Sequence, residues 1–343
     1  MEKGRDWLLY HSLRGLHLID KVPKAQVVCD LMGLQSQFSD NPRVSLQLRA
    51  SDYDARDWGK GLVKIWCHRN TMHLVAEEEM GLYLAASDRL GPYEDAWWGM
   101  AAADMEKWSP FILEEIVKGN DTREGLKAAC RSAGMTEDMC KAAFYGWGGL
   151  IKELCYRGKI AGYPGNGKKY RIMQGVDLPE KTQARLTLID RYFDVFGPAS
   201  TEDCRAFFGR NKGEMKEYFD KLLPGYCYSD IGGIRCYHKK PLDAVGEMPE
   251  CVLLPGFDQL ILGYGETRFR AVADANRKKI VNMAGIVFPG VIVRGQIRAR
   301  WKQEDKRVFV TPFEKLLKKD IKAITREAEK KLEADSVVFY DPE

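Results

Sequence analysis

The stretch TREGLKAACRSAGMTEDMCKAAFYGWGGLIKELCYRGKIAGYPGNGKKYRIM, residues 122–173, decides the fold. Thr122 can cap a short helix that stops at Gly134, because glycine readily takes the left-handed backbone that ends helices. Thr136 then starts a longer helix. In it Ala143, Trp147, Leu150 and Leu154 share a face at three- and four-residue spacing. KIAGY and KKYRIM follow as two strands flanking the turn PGNG. Upstream, Ser109 and Pro110 read as the cap and first turn of another helix carrying Phe111, Ile112 and Ile116. Short helices followed by a basic, aromatic hairpin describe a winged helix-turn-helix over residues 109–175.

The pattern recurs. Residues 176–245 hold KTQARLTLIDRYFDVFG, a helix with Leu186, Ile189, Tyr192 and Phe193 on one face. STEDCRAFFG is a second helix capped by Ser200, and GEMKEYFDKLLPG a third. A hairpin turning at Ile231-Gly232-Gly233 closes this copy. Residues 1–85 form a less regular copy. Helices are expected over Asp6–Ile19, over KAQVVCDLMG ending at Gly33, from Ser39 to Arg49 and around Tyr53–Val63. A hairpin turning at Arg69-Asn70 follows. Residues 86–108 are a connector in which Trp97, Trp98 and Trp108 are expected to pack. Residues 246–343 combine β-branched segments with a terminal helix, for which Thr311, Pro312 and Glu314 suggest a capping box. The fold class is α+β: three tandem winged-helix modules and a small C-terminal β unit.

The formal net charge is only +4. Its distribution says more: Asp121–Met173 carries ten Lys/Arg against five Asp/Glu, and Arg294–Lys331 thirteen against six. That is where a phosphate-binding protein would place cations. The wing KKYRIM, with Lys168, Lys169, Tyr170 and Arg171, faces duplex DNA in this reading, as do Arg298 and Arg300. The acidic runs at Glu77–Glu79 and Glu94-Asp95 should face away from phosphate. Tyr163 and Tyr170 fit hairpin packing as well as DNA contact. Arg43 and Arg49 fit either a solvated helix face or a phosphate grip. Nine cysteines without a CxxC pair, and five scattered histidines, read as reduced thiols and no zinc site. No glycine-rich phosphate loop occurs, so no cofactor is expected. The N-terminal residues lack a signal-peptide pattern and no apolar run spans a bilayer. The expectation is a cytoplasmic protein with no membrane partner.

Three stretches in this order, GLQSQFSDNPRVSLQLRASDY, HRNTMHLV, and the pair LLPGFDQLILGY and FPGVIVRGQIRARW, resemble the AlkZ-like (YcaQ-like) family of bacterial winged-helix DNA glycosylases. With the winged repeats the resemblance covers nearly the whole chain. It implies a C-shaped row of three winged helices and an enzyme that excises alkylated purines, with crosslink unhooking in some members. The family's Gln-x-Gln motif falls on Gln35-Ser36-Gln37, so the resemblance makes these two glutamines catalytic. His73 sits where the family often has histidine; Arg69 and Thr71, just before it, are expected either to support the site or simply to form the turn. Taken without the family, a Gln-x-Gln pair is usually just a polar pair at the surface and a lone histidine is usually half-buried and satisfied.

The chemistry accommodates two amides. Glycosidic cleavage passes through an oxocarbenium-like sugar. A purine alkylated on a ring nitrogen is already cationic and leaves as a neutral base, so little acid catalysis is needed. A glutamine carbonyl can orient water while its NH2 donates. No lysine adjoins the motif, which predicts a monofunctional hydrolase without a Schiff base. Gly33 ends the preceding helix, so Gln35 and Gln37 should share one side of a non-helical link. The alternative is a non-catalytic winged-helix regulator, which would bind selectively and dimerise on a two-fold site; the glycosylase is expected to be a monomer on double-stranded DNA.

Overall fold

A computed structural model describes residues 4–37, 40–146, 148–165 and 167–342. In chain order, the N-terminal part holds α1 (Arg5–Gly15), α2 (Lys24–Asp30), the extended pair β1 (Leu34–Gln35) and α3 (Asp40–Arg49). The hairpin β2 (Leu62–Trp66) and β3 (Met72–Ala76) follows, then α4 (Met80–Ala85). The helix expected at 53–63 does not form. Asp52, Asp54, Asp57, Gly59 and Gly61 favour turns, and the Asp54 carboxylate accepts the Arg56 amide at 2.9 Å, a local bond that competes with helix.

Next come α5 (Ala102–Val117), α6 (Arg123–Ser132), α7 (Glu137–Ala143), α8 (Gly149–Tyr156), β4 (Ile160–Gly162) and β5 (Tyr170–Ile172). Here the structure corrects the sequence reading twice. Helix α5 starts at Ala102, inside the expected connector, and runs through Ser109 and Pro110. Pro110 is tolerated because it and Glu106, whose carbonyl loses its helical partner, both face solvent. The long helix expected from Thr136 is two helices, broken where Gly149 adopts φ +81°. A Cβ at Gly149 would lie 2.5 Å from the Ala143 carbonyl oxygen, so the break requires glycine. Trp147 and Asn166 lie outside the described residues. Thr122 and Thr136 do cap α6 and α7, accepting the amides of Gly125 and Met139. Trp108 is buried, but Trp97 is 76% exposed and packs little of the connector.

Helices α9 (Lys181–Val195), α10 (Thr201–Phe208) and α11 (Lys212–Leu222) precede the hairpin β6 (Cys227–Ile231) and β7 (Ile234–His238). Their core is aromatic: Tyr192 stacks on Phe196 at 5.0 Å between ring centres, against Phe193 and Phe207. Leu186 is half-buried rather than central; Ala184 and Leu188 take the buried face with Ile189.

The C-terminal part holds β8 (Cys251–Leu254), α12 (Gln259–Leu262), α13 (Arg277–Ile280), β9 (Gly290–Val293), β10 (Gln296–Glu304), β11 (Arg307–Pro312), α14 (Lys318–Leu332) and β12 (Ser336–Phe339). The sheet order is β12-β11-β10-β9-β8, antiparallel except for the parallel β11–β12 pair. Alternation puts Ala299 and Trp301 into the core with Ala323, Ile324, Ala328 and Leu332 of α14. Thr311 and Pro312 are strand residues, not a helix cap. They pair with Arg300 and Ala299, and the helix begins instead at Lys318, where Asp320 accepts the Leu317 amide at 3.2 Å. No helix among the described residues is long and apolar enough to cross a membrane.

By packing, the chain forms two compact units. One comprises Met1–Gln35, Asn41–Trp58 and Leu186–Glu343; the other comprises Ser36–Asp40 and Gly59–Arg185. These units cut across the boundaries at 85, 175 and 245. The reason in the second unit is strand pairing: β3, β2, β4 and β5 are neighbours in that order, with Lys64 of β2 opposite Gly162 of β4. The two N-terminal hairpins therefore share one sheet. Gly162 permits the approach, since a Cβ there would meet the Lys64 Cβ at 3.2 Å.

Ser200 caps α10 with a full capping box, its hydroxyl on the Asp203 amide and the Asp203 carboxylate on the Ser200 amide. Ser200→Ala should lower stability by about 1 kcal/mol, read as a shift of the urea midpoint at constant slope.

Candidate active site

Helix α2 ends at Asp30, and Met32 (φ +52°) and Gly33 (φ +86°) turn the chain through two consecutive left-handed residues. The chain leaves this reversal extended at Leu34–Gln35, and no helix includes residues 34–37. Leu34 and Ser36 are buried, Gln35 is half-buried and Gln37 is exposed, the alternation an extended chain gives. Within the first unit, Gln35 lines a small concavity with Asn41, Ser45, Gly256, Asp258 and Gln259. The fit is close: a Cβ on Gly256 would lie 2.7 Å from the Asn41 side-chain oxygen.

Beneath that concavity lies an ion pair that the sequence did not suggest. Arg49 is fully buried (0% exposed), and its guanidinium donates to the Asp258 carboxylate at 2.6 Å, to Ser45 Oγ at 3.1 Å and to the Leu16 carbonyl at 2.8 Å. Asp258 spends its other oxygen capping α12 through the Leu260 amide at 2.7 Å. The expectation that Arg49 grips phosphate is therefore corrected: on α3 it falls on the inward face beside Leu46 and Leu48. Asp258, read from sequence as structural or near the DNA, is the partner that neutralises it. Arg43 remains half-buried on the same helix, 3.4 Å from the Tyr53 hydroxyl.

In the second unit, the Ser36 amide donates to the Met72 carbonyl at 2.8 Å, which ties the motif segment to the strand carrying His73. The hairpin turns where Arg69 (φ +52°) and Asn70 (φ +60°) are both left-handed, as the sequence predicts. Tyr156 fixes that turn by donating to the Asn70 side-chain oxygen at 2.7 Å. Thr71 Oγ donates to the His68 carbonyl at 3.1 Å, a local turn bond. His73 is fully buried opposite Ile65. Its Nδ1 lies 3.1 Å from the Thr71 carbonyl and so carries the proton; its Nε2 is buried with no hydrogen-bond partner among the described residues. Burial, with the nearby Arg69 charge, lowers its pKa to about 3, so the ring is neutral and Nε2 is an acceptor.

The expected DNA-facing residues divide. Lys168 and Lys169 are exposed, with Lys169 3.6 Å from Asp121. Tyr170 is buried, so it packs the hairpin and is not available as a surface contact. Arg171, expected to face DNA, is ion-paired with Glu77 at 2.5 Å. Arg298 and Arg300 alternate with buried Ile297, Ala299 and Trp301 on β10. Arg298 pairs with Glu314, and Arg300 lies over the Phe288 ring at 4.9 Å. Among the described residues no three His, Cys, Asp or Glu side chains are placed to hold a metal ion.

Residues 28–333 match the family described as DNA glycosylase AlkZ-like. The chain belongs to the AlkZ-like DNA glycosylase family. Membership makes it an enzyme acting on DNA, and disfavours the alternative of a non-catalytic regulator. A relative within reach of sequence comparison is the interstrand DNA cross-link repair glycosylase of Streptomyces sahachiroi, 26% identical over 89% of this chain and 88% of that protein. The fold is also that of the Streptomyces sahachiroi DNA glycosylase AlkZ, with a TM-score of 0.79 over 99% of this chain and 100% of that one, at 22% identity. In this AlkZ-like chain the mixed α/β architecture is thus that of a known glycosylase.

Two outcomes test the site's electrostatics. Arg49→Met leaves the Asp258 carboxylate buried and uncompensated, and should cost about 3–5 kcal/mol in urea unfolding. The salt dependence of DNA binding should stay unchanged, because the lost charge was never at the surface. For His73, the folded ring resists protonation down to about pH 3, whereas the unfolded ring titrates near the ordinary 6.5. Its contribution is intact above that value and lost as pH falls, by about 1.4 kcal/mol per unit through the interval. His73→Phe should remove that part of the acid-side slope in urea midpoints measured from pH 7 to pH 4.

Proposed function

We propose that this glycosylase hydrolyses the N-glycosidic bond of purines made cationic by alkylation, with Gln35 and Gln37 as its catalytic pair. The observation that carries this reading is the position of the motif. Gln35-Ser36-Gln37 lies in an extended, non-helical segment of an AlkZ-like chain, with Leu34 and Ser36 buried and both glutamines at least partly open. In such a segment alternate side chains share a side, so the two amides can act on one sugar.

The division of labour follows from the amide. A cationic base departs neutral, so the enzyme supplies position rather than acid: one carbonyl oxygen orients the water, and one NH2 donates to the sugar or the held water. His73 supports the site as a neutral acceptor through Nε2, with Arg69 and Thr71 shaping the hairpin that carries it. A side chain that stays uncharged adds no repulsion to the developing oxocarbenium ion. No covalent intermediate is required, and the enzyme is monofunctional. Interstrand crosslinks at a ring nitrogen have the same cationic leaving base, and the name of the Streptomyces relative supports crosslink repair as a second substrate class.

DNA is held by the three helix-and-hairpin runs, residues 1–85, 109–175 and 176–245, acting as winged-helix modules of a monomer, with the β unit of 246–343 beside them. Lys168 and Lys169 on the second hairpin, with Arg43, Arg298 and Arg300, are the phosphate contacts this reading favours. Such contacts position the protein without reading sequence.

The decisive measurement is release of base from duplexes bearing methylated purines or a nitrogen-mustard crosslink. Wild-type protein should yield abasic sites without strand cleavage, and Gln35→Ala and Gln37→Ala should each lower single-turnover excision by about 100-fold or more while DNA affinity is kept. Binding with no abasic product from any lesion would sink the catalytic assignment. In a separate titration, Lys168→Ala with Lys169→Ala should flatten the slope of log affinity against log salt by about 2, one unit per phosphate contact.

A further inference from the structure

We infer that Gln259 is a positioning residue for Gln35. The inference rests on the catalytic role proposed above for Gln35 and extends it to a residue outside the motif. Gln259 opens α12 directly after Asp258, whose carboxylate is locked by Arg49 and by the Leu260 amide. That lock fixes where the Gln259 side chain begins. Gln259 is itself 3% exposed, and its Nε2 donates to the Gly33 carbonyl at 3.0 Å.

The choice of Gly33 as the acceptor matters. Gly33 stands at φ +86°, two residues before Gln35, in the reversal that closes α2, where its amide donates to the Val28 carbonyl at 2.9 Å. A hydrogen bond to its carbonyl fixes the plane of the peptide that starts the extended segment. Gln259 also lines the concavity that Gln35 lines, together with Asn41 and Ser45. Its Oε1 is buried there with no hydrogen-bond partner among the described residues. An amide that only filled space would be replaceable by an apolar side chain of the same size at little cost. This one holds the carbonyl two residues before Gln35, and displacements of about 1 Å at a reacting group cost on the order of 100-fold in rate.

The test uses two variants of the full chain beside wild type. Gln259→Glu keeps the shape but, when ionised, cannot donate to the Gly33 carbonyl. Its carboxyl, buried, takes up a proton more readily than an exposed one and regains the donor as pH falls. Single-turnover excision by Gln259→Glu should be about 30-fold slower than wild type at pH 8, and the gap should narrow at least about fivefold by pH 5.5, with DNA affinity unchanged. Gln259→Leu should raise amide hydrogen exchange at residues 34–36 without DNA present, while exchange in α5 and β10 stays at the wild-type level. Exchange at 34–36 unchanged in Gln259→Leu overturns the proposal, as does a Gln259→Glu rate that parallels wild type at every pH. A loss confined to DNA affinity overturns it too. If wild type itself cuts no lesion, the functional reading of Gln35 fails instead, and the exchange measurement still decides whether Gln259 holds the segment.

Discussion

A guanidinium with no access to water organises the first unit. Arg49 reaches from the end of α3 into a site where only hydrogen-bonded partners can keep a charge, and the chain supplies three from widely separated segments: Leu16, Ser45 and Asp258. Taking two ions out of water costs several kcal/mol each, so such a pair is weak evidence for stability but strong evidence for specified geometry. It can close only when the N-terminal helices and the segment after β8 are in register. That registration puts Asp258 and Gln259 under the residues that follow Gly33. The candidate site thus depends on a contact spanning 209 residues of chain.

The second unit solves a related problem with neutral groups. His73 is buried beside a cation, Arg69, that disfavours its protonation, and the Thr71 carbonyl fixes which nitrogen carries its proton. Nearby thiols are silenced in the same way: burial pushes Cys67 and Cys155 up to about 12, which removes them as nucleophiles. In this unit Ser36 is tied to the Met72 carbonyl, at the start of the strand that carries the neutral His73 imidazole. A ring kept neutral in this way can accept a hydrogen bond but takes up a proton poorly near neutral pH.

How far the sequence told this story depended on the range of the interactions involved. Caps were legible because they are local: Thr122, Thr136 and Ser200 each bond an amide three residues on. Hairpins with glycine or Arg-Asn turns were legible for the same reason, as was the expectation that residues 34–37 are not helical. Errors came where a local signal competed with a distant one. Pro110 looks like a helix start, yet a buried face through Met105, Trp108 and Ile112 carries α5 past it. Thr311-Pro312-Phe313-Glu314 has the spelling of a capping box, but its first two residues are already committed to β11. Arg49 could not be assigned at all, since nothing near it in sequence reveals a carboxylate that arrives through tertiary structure.

The same distinction bears on how much a motif of two glutamines, proposed above as catalytic, can do by itself. A carboxylate placed beside a sugar acts over several ångströms through its charge, so its aim can be loose. An amide acts through directional hydrogen bonds that weaken steeply off axis. A glycosylase built on Gln-x-Gln therefore requires a stiffer frame than one built on aspartate, and the residues that confer stiffness become as consequential as the amides. In this chain the motif follows a pair of left-handed residues and is hydrogen-bonded on either flank: Gly33 by Gln259, and Ser36 by the Met72 carbonyl. The backbone thus makes a turn that helix geometry forbids, with hydrogen bonds on both sides of Leu34–Gln35. If Gln35 acts as proposed, its aim is set through buried residues outside the motif: Gln259 on the Gly33 carbonyl, placed in turn by Asp258 and Arg49.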